Sequence, residues 1–586
     1  MIIQKAIAAE LTTADSLNEQ MSNSIELSAP PINFTVVMTD HNGVIFAEEY
    51  VEWREPLRLA SIPLFARQLF LESEDTGFFE HRGYDIAAIV RAFAVNSATD
   101  DLQQGASTIT QQVVRMRLLS TEKTYERKVT ELFYAAELEK QSTKDEILEM
   151  YLNEMYFGHQ VYGIGAAATY YFSKPLQELN EAQLAFLAAI PNNPSLYDPL
   201  VRFNQTKKRQ ERLLAILARN SVITTIEAET YSNIPITLQL KKKENNFPAY
   251  STYVLSELSE LIAESEGLTD KTQIQLRTAE VLATGPIIET ALDPHKQRQD
   301  ERALSTLLQP KELQAGAAVI DNDTREIISL FAGKNYKKAD FHRAFQAVRQ
   351  PGSAIKPILV YAPFFESGSY TDNSPINSRN ICIGTYCPTN VGGSVYGTTT
   401  VKEAFRHSHN TAAVRLLQSV GIDKAFEFIE PFQFKSVTQQ DRNYTAALGG
   451  FAKGMTPLEL AGAYSSFIDG RYSPVHAIRT VKDKEGNLLY KWDDKKIDIW
   501  SPATVNTMRD LLADVVRNGT GRGIPYTTAY TGAKTGTTDN YKDLWVGGLN
   551  DTYTTAVWVG YDKPQSMQRL SEQKIHLQLF SALLQD

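Results

Sequence analysis

Gln350-Pro351-Gly352-Ser353-Ala354-Ile355-Lys356-Pro357 places a hydroxyl and an amine three residues apart at the start of an apolar run. Pro351-Gly352 is a turn signal, and Ile358-Leu359-Val360-Tyr361-Ala362 continues as apolar sequence, which predicts a buried helix starting at or next to Ser353. On that helix Ser353 and Lys356 share one face. A serine hydroxyl at its free pKa is a weak nucleophile, and a lysine serves as its base when burial and nearby positive charge keep the amine neutral. A helix N-terminus or a second cation would push Lys356 that way. Ser353 is therefore the expected nucleophile and Lys356 its base. Ser-x-x-Lys alone is common by chance, so the weight falls on its companions downstream.

Two companions follow. Ser408-His409-Asn410 comes after Lys402-Glu403-Ala404-Phe405-Arg406-His407, read as a helix, and adds a second hydroxyl and an amide. Lys534-Thr535-Gly536-Thr537 precedes the strand-like runs Leu544–Gly548 and Thr555–Gly560, with Asn550-Asp551 as the turn between them. The small residues Thr535 and Gly536 would let a substrate backbone lie along a strand edge. The three segments, in this order, resemble the Ser-x-x-Lys, Ser-x-Asn and Lys-Thr-Gly set of penicillin-binding proteins and serine β-lactamases. The resemblance covers about residues 310 to 575.

A chain of 586 residues implies several domains. Its 43% hydrophobic and 22% charged residues are ordinary for a globular protein, and a net charge of −10 lacks the basic footprint of a nucleic-acid binder. Cys382 and Cys387 match no metal spacing, and both an oxidised pair and two free thiols stay open. Met1 to Glu10 is broken by charge too early for a spanning helix, which needs about 20 mostly apolar residues, and no signal-peptide pattern follows. Either the protein is soluble or its anchor lies outside this sequence.

Along the chain, residues 1–30 read as a polar tail, and Phe34–Met38, Asp40–Gly43 and Val44–Ala47 as a hairpin. From Pro56 to about residue 215 the pattern is helical. Glu74-Asp75-Thr76-Gly77-Phe78-Phe79-Glu80-His81-Arg82-Gly83 ends an apolar helix carrying Leu64, Phe65, Leu69, Phe70 and Leu71. Gly105-Ala106-Ser107-Thr108-Ile109-Thr110-Gln111-Gln112 is a loop opening a helix, where backbone N–H groups can hold an anion, and Arg115 and Arg117 follow. In the next helix Val129, Leu132, Phe133 and Ala136 are predicted to form the buried stripe, with Arg127, Lys128 and Glu131 off it. Ser142-Thr143-Lys144-Asp145-Glu146 reads as a capping box opening a helix that carries Ile147, Leu148, Tyr151 and Leu152 and ends near Asn153.

These four segments resemble the motifs of the peptidoglycan glycosyltransferase family: Glu-Asp-x-x-Phe-x-x-His-x-Gly, Gly-x-Ser-Thr-x-x-Gln-Gln, Arg-Lys-x-x-Glu and Lys-x-x-Ile-Leu-x-x-Tyr-x-Asn. A fifth segment fits loosely at Arg209–Leu214, where Leu213 replaces a valine. The joint resemblance implies a bifunctional class A penicillin-binding protein. Its expected fold is a mainly α-helical, lysozyme-like glycosyltransferase domain followed by an α+β penicillin-binding/β-lactamase-like transpeptidase domain. Expected boundaries are a tail and hairpin over 1–50, glycosyltransferase over 51–220, linker over 221–295 and transpeptidase over 296–586.

By the same resemblance, Glu74 is the base for glycosyl transfer and Glu131 assists near the pyrophosphate. Arg115, Arg127 and Lys128 supply charge, and Ser107, Gln112, Lys144 and Asn153 bind substrate. Mg²⁺ or Mn²⁺ would help the leaving group, with no ligands named by the sequence. Ser353 would attack D-Ala-D-Ala with Lys356 as base, while Ser408, Asn410 and Lys534 relay protons. Thr535, Gly536 and Thr537 would contact substrate, and the N–H groups of Ser353 and Thr537 would form the oxyanion hole. The implied partners are the lipid-linked disaccharide-pentapeptide, nascent glycan, stem peptides and the membrane surface, with β-lactams and moenomycin as inhibitors and no nucleic acid. The implied location is the extracytoplasmic face of the bacterial plasma membrane, with the surface near Leu64–Leu71 meeting the bilayer. The competing readings are a β-lactamase, a non-catalytic scaffold, and a glycosyltransferase carrying an inert second domain.

Overall fold

The computed structural model describes residues 35–50, 52–84, 107–118, 125–241, 245–310, 312–338, 340–368 and 370–585. It contains two compact units, one built chiefly of Glu49–Lys243 and the other of Val37–Glu48, Glu244–Ala279 and Pro286–Asp586. Among the described residues no helix is long and apolar enough to cross a membrane.

The first unit is helical: α1 (Leu64–Glu74), α2 (Ile109–Leu118), α3 (Tyr125–Gln141), α4 (Lys144–Glu154), α5 (Ile164–Phe172), α6 (Glu181–Ala188) and α7 (Phe203–Arg219). Its core gathers Leu69, Phe70, Leu148, Leu152, Ala167, Phe186 and Leu214. Helix α5 is apolar almost all round and sits in this core, as such a helix must. Helix α4 opens on the expected capping box, with Thr143 and Glu146 satisfying each other's backbone N–H groups.

The face of α3 differs from the predicted one. Its buried row is Glu131, Ala135 and Leu138, whereas Phe133 is 44% exposed. The rows lie about 100° apart on a helix, and a carboxylate in the buried row made the neighbouring row look the more apolar. The side chains of Arg127, Lys128 and Val129 lie outside the described residues.

The second unit carries two five-stranded sheets. One runs in the order Leu488–Tyr490, Ile478–Lys482, Ile287–Thr290, Val36–Thr39 and Ile45–Glu49. Its last two strands are the expected hairpin, whose turn is closed by Asp40 Oδ1 accepting from the N–H groups of Asn42 (2.8 Å) and Val44 (3.0 Å). The boundaries therefore differ from those expected: the hairpin does not belong with a tail over 1–50, and Ile287–Thr290 is an inner strand rather than part of a linker ending at 295. The helix Pro248–Glu266, also placed in that linker, fixes the same sheet, since Glu257 accepts from the backbone N–H groups of Ala477 (2.8 Å) and Ile478 (2.9 Å).

The other sheet is antiparallel: β1 (Gln314–Asp321), β2 (Ile327–Phe331), β3 (Thr531–Thr537), β4 (Asp543–Asn550) and β5 (Tyr553–Gly560), in the order β3-β4-β5-β1-β2. Strand β3, with Lys534, is thus an edge. Around this sheet stand α8 (Pro294–Leu307), α9 (Val401–Arg406), α10 (Asn410–Val420), α11 (Pro457–Ser465), α12 (Pro502–Asn518) and α13 (Ile575–Leu583). A buried pair ties α8 to the sheet and to α13: Lys296 Nζ lies 2.5 Å from Asp300 and 2.9 Å from the Leu583 carbonyl, while Ser329 on β2 donates to Asp300 at 2.6 Å.

The segment of Ser353 starts helical where expected, but as a 3₁₀ turn over Gly352–Ile355 followed by a π-helical turn over Pro357–Tyr361. Pro357 has no N–H to give the Ser353 carbonyl four residues back, and its ring would clash with it in an α-helix. Cys382 and Cys387, left open by sequence, are joined as a disulfide.

Candidate active sites

Glu74 ends α1, and the sequence holds it there by tying the following loop to α2. Asp75 accepts from the Ile109 N–H at 2.9 Å and pairs with His81 Nε2 at 2.9 Å. Thr108 and Gln111 form a reciprocal cap at the start of α2, and Thr108 Oγ1 donates to the Gly83 carbonyl at 2.7 Å. Asp75, His81 and Thr108 were quoted within the motifs without a role, and their work is to position Glu74 and α2. Ser107 is half-buried immediately before that cap.

Gln112 Nε2 donates to Glu74 Oε2 at 3.2 Å, and Arg209 Nη2 stands 3.9 Å from Oε1, with its guanidinium over Tyr197. The loosely matching segment therefore supplies a direct neighbour of Glu74. Burial raises the Glu74 pKa, while Gln112, Arg209 and Arg115 draw it back down. A carboxylate raised in this way is a stronger proton acceptor. Replacing Arg209 with Gln removes one opposing charge and raises Glu74 further. Because the base must be ionised, activity is then lost at a higher pH as the solution is acidified. The acid limb of glycan polymerisation is expected to move up by as much as about one pH unit, an adjacent cation being worth about 1 to 3 units. An unmoved pH–rate profile would count against this pairing.

Two expected substrate contacts, Asn153 and Lys144, and the expected catalytic assistant Glu131 stand differently. Asn153 gives its whole amide to structure, accepting from the Leu57 N–H and donating to the Leu57 and Glu149 carbonyls, each at 2.9 Å. Lys144 pairs with Glu139 at 2.7 Å and lies over the Phe78 ring. Glu131 is fully enclosed, whereas Glu74 is 22% exposed. Among the described residues no three Asp, Glu, His or Cys side chains converge on a metal position. Besides the Asp75 carboxylate, the described groups acting on Glu74 are the Gln112 carboxamide and the Arg209 and Arg115 guanidiniums, so these described residues do not by themselves make a site for the expected Mg²⁺ or Mn²⁺.

In the second unit the three motifs come together. Lys356 Nζ lies 2.9 Å from the Ser408 carbonyl, 3.2 Å from Ser408 Oγ and 2.8 Å from Asn410 Oδ1. Lys534 Nζ donates to Ser408 Oγ at 2.9 Å and to the Thr535 carbonyl at 3.0 Å. Both amines are completely buried. Burial pushes the Lys356 pKa well below its usual range, helped by the Lys534 charge, and burial pushes Lys534 down to about 7. A neutral Lys356 has two hydrogens, which the carbonyl oxygens of Ser408 and Asn410 take. Its lone pair is left for a hydroxyl.

The backbone makes this meeting possible. Ser408 sits at φ 57°, and the N–H groups of Ser408 and His409 close the end of α9 on the Phe405 and Ala404 carbonyls at 3.0 and 2.8 Å. The chain thereby reverses and delivers Ser408 and Asn410 to one amine. The Ser353 turn is held by Tyr464 donating to the Ala354 carbonyl (2.7 Å) and Trp545 donating to the Gln350 carbonyl (2.9 Å). Ser353 itself is half-buried, and among the described residues its hydroxyl has no hydrogen-bond partner. Gly352, at φ 53°, packs so closely that an added Cβ would lie 2.6 Å from the Thr537 carbonyl oxygen, which brings the two expected oxyanion-hole peptides side by side.

Gly536 has a different purpose from the expected one. A Cβ there would lie 2.2 Å from the Pro351 carbonyl oxygen, so the glycine lets the Ser353 turn pack on β3. Thr535 turns to the opposite face and bonds Thr520 at 2.7 Å, while Thr537 is exposed. Thr520, which sequence reasoning passed over, in turn donates its N–H to the Arg406 carbonyl at 3.4 Å and so ties β3 to α9.

Residues 42–218 match the family described as transglycosylase, and residues 315–570 match the penicillin binding protein transpeptidase domain. The chain is 43% identical to penicillin-binding protein 4 of Bacillus subtilis, with 99% of this chain and 96% of that protein covered. It is 32% identical to penicillin-binding protein 1F of the same organism, over 90% of this chain and 73% of the relative. The crystal structure of penicillin-binding protein 1A from Haemophilus influenzae shares the fold at a TM-score of 0.69 and 19% identity, covering 94% of this chain and 92% of the other. With a family model matching each half and a 43% identical relative covered over nearly its whole length, the chain belongs to the bifunctional class A penicillin-binding proteins, peptidoglycan glycosyltransferases and D,D-transpeptidases that polymerise lipid-linked disaccharide-pentapeptide and cross-link its stem peptides.

Proposed function

We propose that the two activities divide between the Glu74 site and the Ser353 site as follows. Glu74 takes the proton of the acceptor sugar hydroxyl, and the guanidiniums of Arg115 and Arg209 stabilise the negative charge of the departing pyrophosphate. Gln112 holds the carboxylate, and Arg127 and Lys128 add charge to the same end of the substrate. In the second unit Lys356 accepts the Ser353 proton as Ser353 Oγ bonds to the D-Ala carbonyl carbon, and the terminal D-alanine leaves with a proton relayed through Ser408. An amine of a second stem peptide then displaces Ser353. The acyl peptide lies along the free edge of β3, its oxyanion on the N–H groups of Ser353 and Thr537. β-Lactams acylate the same serine.

The observation carrying this assignment is the convergence of two buried amines on Ser408 Oγ, one of them Lys356, three residues after Ser353 in the same helical segment. We further place the protein at the extracytoplasmic face of the plasma membrane. Of Leu64–Leu71, Leu69 and Phe70 belong to the core and Leu64 is 65% exposed, so what that stretch offers to lipid is chiefly Leu64 rather than the whole run.

The test follows glycan polymer and cross-links from lipid-linked substrate with each inhibitor. Moenomycin is expected to stop both products. Penicillin is expected to abolish cross-links while polymer continues to form, with label recovered on Ser353. Polymer without cross-links in the absence of penicillin would indicate an inert second unit.

A further inference from the structure

Helix α10 begins at Asn410 without a cap from the residue before it, since the His409 side chain makes no capping bond. The cap comes from twenty residues upstream. Asn390 Oδ1 accepts from the backbone N–H groups of Asn410 at 2.7 Å and Thr411 at 3.2 Å. Its Nδ2 donates to the Ser394 carbonyl at 3.0 Å and to Thr411 Oγ1 at 3.2 Å. Asn390 is 4% exposed, so these bonds are shielded from water. The residue before it completes the arrangement: the Thr389 carbonyl accepts from Asn410 Nδ2 at 2.8 Å.

The Asn410 amide thus has one allowed orientation, with its nitrogen on Thr389 and its oxygen on Lys356 Nζ at 2.8 Å. Rotated by half a turn, it would aim N–H groups at the amine and take away one of the two acceptors that keep the Lys356 lone pair free. The segment doing this is itself held, because the Cys382–Cys387 disulfide closes the turn just ahead of Pro388-Thr389-Asn390.

We propose that Asn390 is a positioning residue for transpeptidation: it caps α10 from outside, fixes Asn410, and through the Asn410 amide sets the orientation and free lone pair of Lys356. This rests on Ser353 and Lys356 acting as nucleophile and base, and the wild-type protein controls for that reading: failure of penicillin to label Ser353 would refute the assignment of the site, not the role of Asn390.

The test uses the full chain with fluorescent penicillin, resolved into non-covalent binding and acylation at Ser353 across pH, with glycan polymerisation as an internal control. Asn390→Ala is expected to slow acylation about 10- to 100-fold, the range that a misplacement of about 1 Å produces, with the penicillin Kd and polymerisation unchanged. Asn390→Asp keeps the acceptor for both N–H groups, gives up the Nδ2 bonds to the Ser394 carbonyl and Thr411 Oγ1, and adds a carboxylate connected to Lys356 through Asn410. Its acylation is expected to return to within about threefold of wild type at high pH, as one good capping acceptor replaces another, with the acid limb moved to higher pH because the ammonium form is favoured. Wild-type acylation by N390A, or an N390D profile with an unmoved acid limb, overturns the proposal. Equal losses in both variants in step with their melting temperatures also overturn it, as they show a purely structural residue. Should N390A fail to fold, the N390D profile decides alone.

Discussion

Lys356→Met is expected to slow acylation of Ser353 by about 10²- to 10⁴-fold, the range attributed to a positioned general base, while glycan polymerisation keeps its wild-type rate. Methionine matches the length of the buried lysine stem and removes only the amine. The cavity stays filled, but the Ser408 carbonyl and Asn410 Oδ1 lose a donor, at about 1–3 kcal/mol for each buried group left unsatisfied. Relief from burying an amine offsets part of that loss. Lys534, 2.9 Å from Ser408 Oγ, does not substitute, because its contacts are Ser408 and the Thr535 carbonyl. Stopped-flow penicillin acylation alongside the non-covalent Kd separates lost chemistry from lost binding. Acylation within tenfold of wild type, with Kd unchanged, would remove Lys356 from the role of base.

Glu74→Gln is expected to give the mirror image. Polymerisation falls by about 10²- to 10⁴-fold, and Ser353 is acylated by penicillin as before. The substitution keeps the side chain's shape, and Gln112 can still bond its carbonyl oxygen, so substrate binding should survive. Only the group able to take a proton is lost. Polymer yield from lipid-linked substrate measures the first arm and penicillin labelling the second. Appreciable polymerisation by the variant would shift the base to another residue, and a joint loss of both activities would point to misfolding.

Motif residues were the legible part of this chain, and their neighbours were not. Ser353, Lys356, Ser408, Asn410 and Lys534 could be named because their spacing is local and their chemistry unusual. Asn390 could not, because its bonds to Asn410 and Thr411 cross a turn and a helix and leave no periodic trace. Asp75 and His81 were visible in a motif, but only the fold shows that Asp75 accepts from the Ile109 N–H. Arg209 was held back by one substituted neighbour, Leu213, although the guanidinium itself reaches Glu74.

The misreadings have physical causes too. On α3 the buried carboxylate of Glu131 broke the apolar row, and the eye moved to the exposed Phe133. Gly536 looked like space for substrate, whereas alternation along β3 points that missing side chain at Pro351 and Ala354. Asn153 closes a helix end on Leu57, which no sequence separation announces. The two strands near residues 36–49 were seen, and their destination was not, because a register is set by a partner that sequence reading had assigned to a linker.

That last pairing governs how the polypeptide must be born. Thr290 donates to the Thr39 carbonyl across 251 residues, so the ribosome releases the entire glycan-polymerising body before the hairpin ahead of it meets its parallel neighbour. Contacts of such range form slowly. A fragment begun at Gln314 would be cut off from Val36–Thr39, Ile45–Glu49 and Ile287–Thr290, leaving Ile478–Lys482 as a bare edge with its apolar side chains uncovered. The crosslinking half cannot be excised at its catalytic motifs without exposing an adhesive strand.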